Sequence, residues 1–413
     1  MAMERRRVAV TGIGMITAVG LDRESTWNAL KDGRGGIAPI TAFDTTEYKV
    51  AFAGEAKGFD PNTRMDPKDA RKADRYAQFA VCAAAEAMDQ AQPGDVDPVR
   101  AGVIIGSGIG GMLTFEEQHS KLVERGPSRV SPMFIPMMIA DMAAGLVSIR
   151  YGYRGPNFAT VSACASGGHA IAAAFEQIAM GNADVMITGG SEACVCPMAM
   201  AGFASMKALS SRNDDPATAS RPFDAERDGF VLGEGAGILV LEEWERAVAR
   251  GADILGEVAG VGMTADAFHM TQPDNDGNGS REAMRLAVAS AGLALDDIGY
   301  INAHGTSTPF NDKIETKAIR DLFGAHAQKL AVSSTKSMTG HTLGAAGGVE
   351  AAITVLALRD GLLPPTMNYA NPDPECDLFY CPNEAVPRKV DAALSTSLGF
   401  GGHNISICVR AAR

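Results

Sequence analysis

One cysteine and two histidines in this chain have the surroundings that covalent, nucleophilic catalysis needs. Cys164 follows the strand-like run NFATVSA and precedes SGGHAIAAAFEQIAMG, a helix that opens on small residues. A thiol at a helix N-terminus meets unpaired backbone N–H groups and the positive end of the helix dipole, both of which favour thiolate. Such placement can bring a cysteine pKa from about 8.5 into the ~3.5–7.5 range. Position alone leaves a buried structural thiol equally open. His304 lies in NAHGTSTPFND, straight after an apolar run, and His341 in STKSMTGHTLGAAGG, where a second small-residue helix opens. Both are read as strand-to-helix junctions, the position of Cys164 itself. In an α/β sheet such ends converge on one face, where ligands bind. A cysteine and two histidines meeting there form a catalytic constellation. Lys336 and Glu350 flank His341. An ion pair that only holds the site and a direct chemical role are both open for them.

The elements that must position these residues alternate along the chain. Val8–Thr11, Ala101–Gly106, Ala159–Ser162, Asp184–Gly189, Ala236–Glu242 and Ile298–Ala303 read as strands, several apolar on both faces. Asp74–Gln90 and Ser280–Ala291 read as helices between them, which makes the class α/β. Val130–Ile149 is long and weakly charged, but Pro132, Pro136 and Asp141 interrupt it, so it reads as a buried helix and no membrane span. An internal repeat stands out. SGGHAIAAAFEQIAMG (166–181) and AGGVEAAITVLALRDG (346–361) keep a glycine pair and a closing glycine at the same spacing. GVIIGSG near Gly102 echoes GYINAHG near Gly299 more weakly. Two similar halves, 1–255 with the cysteine and 256–413 with the histidines, are the simplest account.

Composition removes several function classes. The formal net charge of −12 speaks against general affinity for nucleic acid or an anionic membrane. Seven cysteines at no zinc spacing point to a reducing, cytoplasmic setting, and no secretory signal is read at the start. GSGIGG fits a dinucleotide-binding glycine pattern, but no acidic residue ends a strand about 20 positions later.

VSACASGGHAI, NAHGTSTPFNDKIET, TKSMTGHTLGAAGGVEA and GFGGHN, with RPFDAERDGFVLGEGAG and GSGIGG, resemble the successive signatures of β-ketoacyl-[acyl carrier protein] synthases. The resemblance runs from residue 7 to residue 409 and is nearest to the type II synthases of dissociated bacterial fatty-acid synthesis. It implies the thiolase fold, two halves forming a five-layer αβαβα sandwich, in a cytoplasmic homodimer with no cofactor. It implies that Cys164 takes an acyl chain from acyl carrier protein. His304 and His341 would promote decarboxylation of the malonyl-carrier protein, and the carbanion would attack the thioester to give 3-oxoacyl-carrier protein and CO2. Backbone N–H groups of Cys164 and Phe400 would hold the tetrahedral oxyanion, with Phe400 also resembling a gate. Ile109, Phe203 and Met138 would line the acyl pocket, Thr306 and Thr308 would hold the pantetheine arm, and Thr271 would also bind substrate. No catalytic metal is expected. Some members bind a structural cation through residues resembling Asn302 and Glu350, but Thr396 replaces an asparagine common in the final signature. A ketosynthase subunit of a type II polyketide synthase is the alternative, with the same chemistry and a different partner.

One stretch is basic despite the overall charge. Asp66–Pro67 starts a helix, and Lys68, Arg71, Lys72 and Arg75 then fall on one face. A solvated helix face would look the same. The resemblance implies docking of an acidic carrier protein there, extended by Arg129 and Lys207.

Overall fold

The computed structural model describes residues 5–412. Ten strands make one mixed sheet: β1 Val8–Ile16, β2 Ala101–Gly106, β3 Asn157–Phe158, β4 Val185–Glu192, β5 Gly235–Glu243, β6 Gly256–Ala265, β7 Ile298–Asn302, β8 Ala331–Ser333, β9 Ala392–Gly399 and β10 His403–Ala411. Their spatial order is β8-β7-β9-β10-β6-β1-β5-β4-β2-β3. Outward from the β1–β6 seam the order is 1-5-4-2-3 on one side and 6-10-9-7-8 on the other, the same topology twice. The seam is short, Val8–Val10 against Gly256–Val258, and antiparallel.

Seven helices matter to the site: α1 Arg75–Ala91, α2 Met112–Arg125, α3 Met142–Tyr151, α4 Ser166–Ala179, α5 Asn278–Ser290, α6 Asn311–Phe323 and α7 Ala346–Asp360. α4 and α7 lie between the two half-sheets and touch strands of both. α1 covers the far face of one half and α5 that of the other. The result is the five-layer thiolase-like αβαβα arrangement. α7 is buried along nearly its whole length, which explains why its sequence shows no polar stripe. The repeated glycine pairs explain the close central layer. A Cβ on Gly167 would lie 2.8 Å from the Gly348 nitrogen, and one on Gly347 would lie 2.3 Å from the Gly168 nitrogen. The two helices therefore cross backbone to backbone.

Two expected elements differ. Ala159–Ser162 is not a strand, since the ladder stops at Phe158. Its polar groups turn to the elbow instead: Thr160 Oγ1 donates to the Ser166 carbonyl at 2.7 Å, and Ser166 Oγ accepts from the Ser162 N–H at 2.9 Å. Val130–Ile149 is not one buried helix. It holds a short helix, Phe134–Met138, which ends at extended Ile139, and then α3. Ile135 and Ile149 are exposed. Among the described residues no helix is long and apolar enough to cross a membrane.

Candidate active site

Cys164 sits in a tight turn, Ala163–Ala165, that leads into α4. A matching turn, Leu343–Ala345, leads into α7 two residues after His341. Ala163 and Leu343 both take positive φ, 51° and 48°. Left-handed backbone is costly for side chains with a Cβ, and here it recurs at equivalent points of the two halves. His304 does not share the position of Cys164, contrary to the sequence reading. It follows β7, the counterpart of β2, so its equivalent is the loop at Ser107, as the GVIIGSG/GYINAHG echo implies.

The folded chain brings the three side chains together. Cys164 Sγ and one nitrogen of each of His304 and His341 all lie within 4.8 Å of one another. The imidazoles stand edge to face, 5.3 Å between centres. Each is fixed differently. The His304 N–H donates to Glu315 Oε1 at 2.7 Å, and its carbonyl accepts from Lys336 Nζ at 2.6 Å. His341 Nδ1 accepts the Leu343 N–H at 3.3 Å, so the neutral ring carries its proton on Nε2. Burial, then the Lys336 charge, then His341 hold the His304 pKa well below the usual histidine range. Burial and Lys336 do the same to His341. Both are therefore neutral near pH 7. A cysteine and two histidines could also ligate zinc. A metal on His341 Nε2 would, however, force the proton onto Nδ1, against the Leu343 N–H, beside the Lys336 cation.

The thiol pKa departs from the sequence expectation. Burial pushes Cys164 up to about 12, opposed by Lys336 and by the backbone N–H groups of Phe400 and Cys164, which face the sulfur. A helix N-terminus contributes at most about 2 kcal/mol, roughly 1.5 pH units, which is too little to reverse that. Cys164 is thus a protonated thiol that needs a neighbouring base. Alkylation of Cys164 by iodoacetamide should rise about tenfold per pH unit from 7 to 9. A plateau below pH 8 would show that the helix end outweighs burial.

Lys336 and Glu350 form an ion pair, both only about 2% exposed. Burial raises the Glu350 pKa to about 7 against the pull of Lys336. Among the described residues Glu350 Oε2 and Asn302 Oδ1 have no hydrogen-bond partner. These are two oxygens a cation could use. The Thr396 hydroxyl spends its proton on Glu315 Oε1 at 2.9 Å. No step depends on an ion there.

A cleft of 480 Å³ opens above the cysteine, lined among others by Ile109, Phe203, Phe230, Thr271, Thr306, Thr308, Leu398 and Phe400. Met138 is not among its walls. Its carbonyl accepts from the Gly111 N–H at 2.9 Å, two residues from Ile109. Phe400 precedes Gly401 and Gly402, at φ 91° and 75°, conformations that glycine adopts readily and that suit a mobile gate.

The basic face is smaller than expected. The helix from Pro67 ends at Ala70, and α1 restarts at Arg75 behind an Asp74 N-cap. Arg75 turns inward to a two-pronged pair with Glu234, 2.7 and 3.0 Å. Lys68, Arg71 and Lys72 remain exposed, as do Arg129 and Lys207, and Lys207 stands at the cleft.

Sequence reasoning missed the carboxylates that hold the loops. Glu315 binds both the His304 and Gly305 N–H groups. Glu192 ends β4 fully buried among N–H donors. The His169 Nδ1 is 2.7 Å from Ser162 Oγ, two residues from the nucleophile.

Fold, repeated elbow and Cys–His–His cluster together define a thiolase-like condensing enzyme. Residues 5–247 match the family described as beta-ketoacyl synthase, N-terminal domain, and residues 255–370 match its C-terminal domain. The chain belongs to the β-ketoacyl synthase family. It is 52% identical over 410 residues to 3-oxoacyl-[acyl-carrier-protein] synthase 2 of Synechocystis sp., covering 99% of both chains. It is 53% identical over 404 residues to the enzyme of that name in Staphylococcus aureus, covering 97% of both. Among solved structures, a β-ketoacyl synthase from Burkholderia phymatum superposes with TM-score 0.92 at 37% identity, covering 99% of this chain and 100% of that one. A chain from the complex of a type II polyketide acyl-carrier protein with its ketosynthase gives 0.92 at 34%, with the same coverage.

Proposed function

We propose that this chain catalyses the decarboxylating Claisen condensation of fatty-acid elongation. The observation that carries this is the buried cluster of Cys164 Sγ with the two neutral imidazoles beneath an apolar cleft. In the first half-reaction the Cys164 sulfur displaces the carrier's pantetheine thiol from an acyl thioester, its proton passing to a neighbouring base. In the second, malonyl-carrier protein loses CO2, and the enolate oxygen is held by hydrogen bonds from His304 and His341. The carbanion attacks the acyl carbonyl, whose oxyanion meets the N–H groups of Cys164 and Phe400. Collapse expels the Cys164 thiolate, which regains a proton, and leaves 3-oxoacyl-carrier protein. Residues 1–255 would supply the nucleophile and 256–413 the histidines.

The assay is acyl- and malonyl-carrier protein with the enzyme. One saturated chain should gain two carbons as a 3-oxo product, with one CO2 released. A product extended repeatedly without reduction would assign the chain to polyketide synthesis instead. The relatives named 3-oxoacyl-[acyl-carrier-protein] synthase 2 are 52–53% identical, against 34% for the type II polyketide ketosynthase and 35% for the ishigamide ketosynthase/chain length factor, and this supports the fatty-acid reading. No product at all would refute both.

The carrier protein would dock on Lys68, Arg71 and Lys72, with Arg129 and Lys207. Lys68→Glu with Lys72→Glu should raise the KM for carrier substrate at least tenfold, more at low salt. An unchanged KM would remove this surface. A homodimer is supported by exposed Leu122, Val123, Ile135, Ile149, Phe158 and Val161, which lie on α2, the 134–138 helix, α3, β3 and the segment that follows β3. Sedimentation should give twice 43.1 kDa, and a monomer at micromolar concentration would contradict it. Seven cysteines, all free and buried, fit a cytoplasmic setting.

A further inference from the structure

Glu192 is 0% exposed and ends β4 beneath the cleft. Its carboxylate accepts from Ser107 Oγ at 2.9 Å and from the Gly108 N–H at 2.7 Å. The Ile109 and Gly110 N–H groups approach at 3.3 and 3.4 Å. From the other half of the molecule the Gly344 N–H donates at 3.1 Å. Burial raises the Glu192 pKa, and these hydrogen bonds, all from donors, oppose it and favour the ionised form. The two loops it joins are also in direct backbone contact, since a Cβ on Gly344 would lie 2.2 Å from the Gly108 nitrogen. Each loop carries an apolar wall of the cleft, Ile109 on one and Leu343 on the other.

We infer that Glu192 is a specificity-positioning residue: it locks the Ile109 and Leu343 walls together and thereby sets which acyl chains reach Cys164. The inference rests on the acyl-cysteine reading above. Glutamine cannot replace the carboxylate, because its NH2 would face N–H donors where an oxygen now accepts. With the lock loosened, Ile109 can shift under different chains and the cleft loses discrimination. A role limited to general stability would instead slow every chain length by the same factor.

The test is Cys164 acylation by acyl-carrier proteins of graded chain length, followed by intact-protein mass. Wild type comes first: if it takes no acyl group on Cys164, the underlying reading fails. If it does, Glu192→Gln should reduce the ratio between the best and worst chain lengths at least about tenfold, the scale of one lost charged hydrogen bond. Ser107→Ala deletes one donor and keeps the carboxylate. It should flatten the profile in the same direction by a smaller factor, and it decides the matter should Glu192→Gln not fold. A variant profile parallel to that of wild type would overturn the inference.

Discussion

Replacing His304 or His341 by alanine is expected to cut condensation by about 10²–10³-fold, while Cys164 still accumulates an acyl thioester on prolonged incubation. The two imidazoles share one task in the second half-reaction. His341 points a protonated Nε2 away from the Leu343 N–H that occupies its Nδ1. His304 is held by its own backbone between Glu315 and Lys336, which sets its ring beside that of His341. Neutral rings suit donation to a developing enolate, and burial with Lys336 keeps both neutral. Two donors on one oxygen are not independent. The double variant should therefore fall no more than about tenfold below the worse single variant. Multiplying losses would mean that the histidines act in separate steps. Single-turnover product analysis, with the acyl-enzyme followed by mass, separates the two half-reactions.

Lys336→Ala should be as damaging, for a different reason. It strands the Glu350 carboxylate in the core and removes the donor to the His304 carbonyl. Breaking a buried pair by removing one partner costs about 3–5 kcal/mol. Whether the pair serves only structure was open from the sequence. The double variant Lys336→Met with Glu350→Leu answers it by thermal unfolding and turnover measured together. An apolar replacement of similar size should restore most of the stability. Turnover should stay at least 100-fold down, because the cation that sets the imidazole environment is gone. Full recovery of turnover would make the pair purely structural.

Much of the architecture was legible because it depends on local pattern. Apolar runs near Val8, Ala101, Val185, Ala236 and Ile298 gave strands, and the glycine pairs at 167–168 and 347–348 marked the two central helices. The short echoes sampled the repeat at a few places, and the strand order carries it through five strands on each side of the seam. Ala159–Ser162 misled because β-prone residues there serve an elbow, where side chains take the backbone partners a ladder would supply. The basic face misled because Lys68 to Arg75 keeps helical spacing across two separate helices. Asp74, read as the start of the second, already contradicted one continuous face. Arg75 needed a partner from Glu234, 159 residues away, which no local pattern shows. Glu192 escaped for the same reason, because its donors Ser107, Gly108 and Gly344 are far along the chain; the donors to Glu315, His304 and Gly305, are near in sequence but lie in a loop that no helix or strand spacing ties to it. Their one local signal was a lone carboxylate ending an apolar strand, in ITGGSEA, or on the buried side of a helix.

The central claim is that Cys164 carries the acyl group. Incubation with an acyl-carrier protein, followed by intact mass and peptide mapping, tests it directly. One acyl unit should appear on the peptide containing Cys164 and be absent in Cys164→Ala. An adduct of equal amount in that variant would contradict the account.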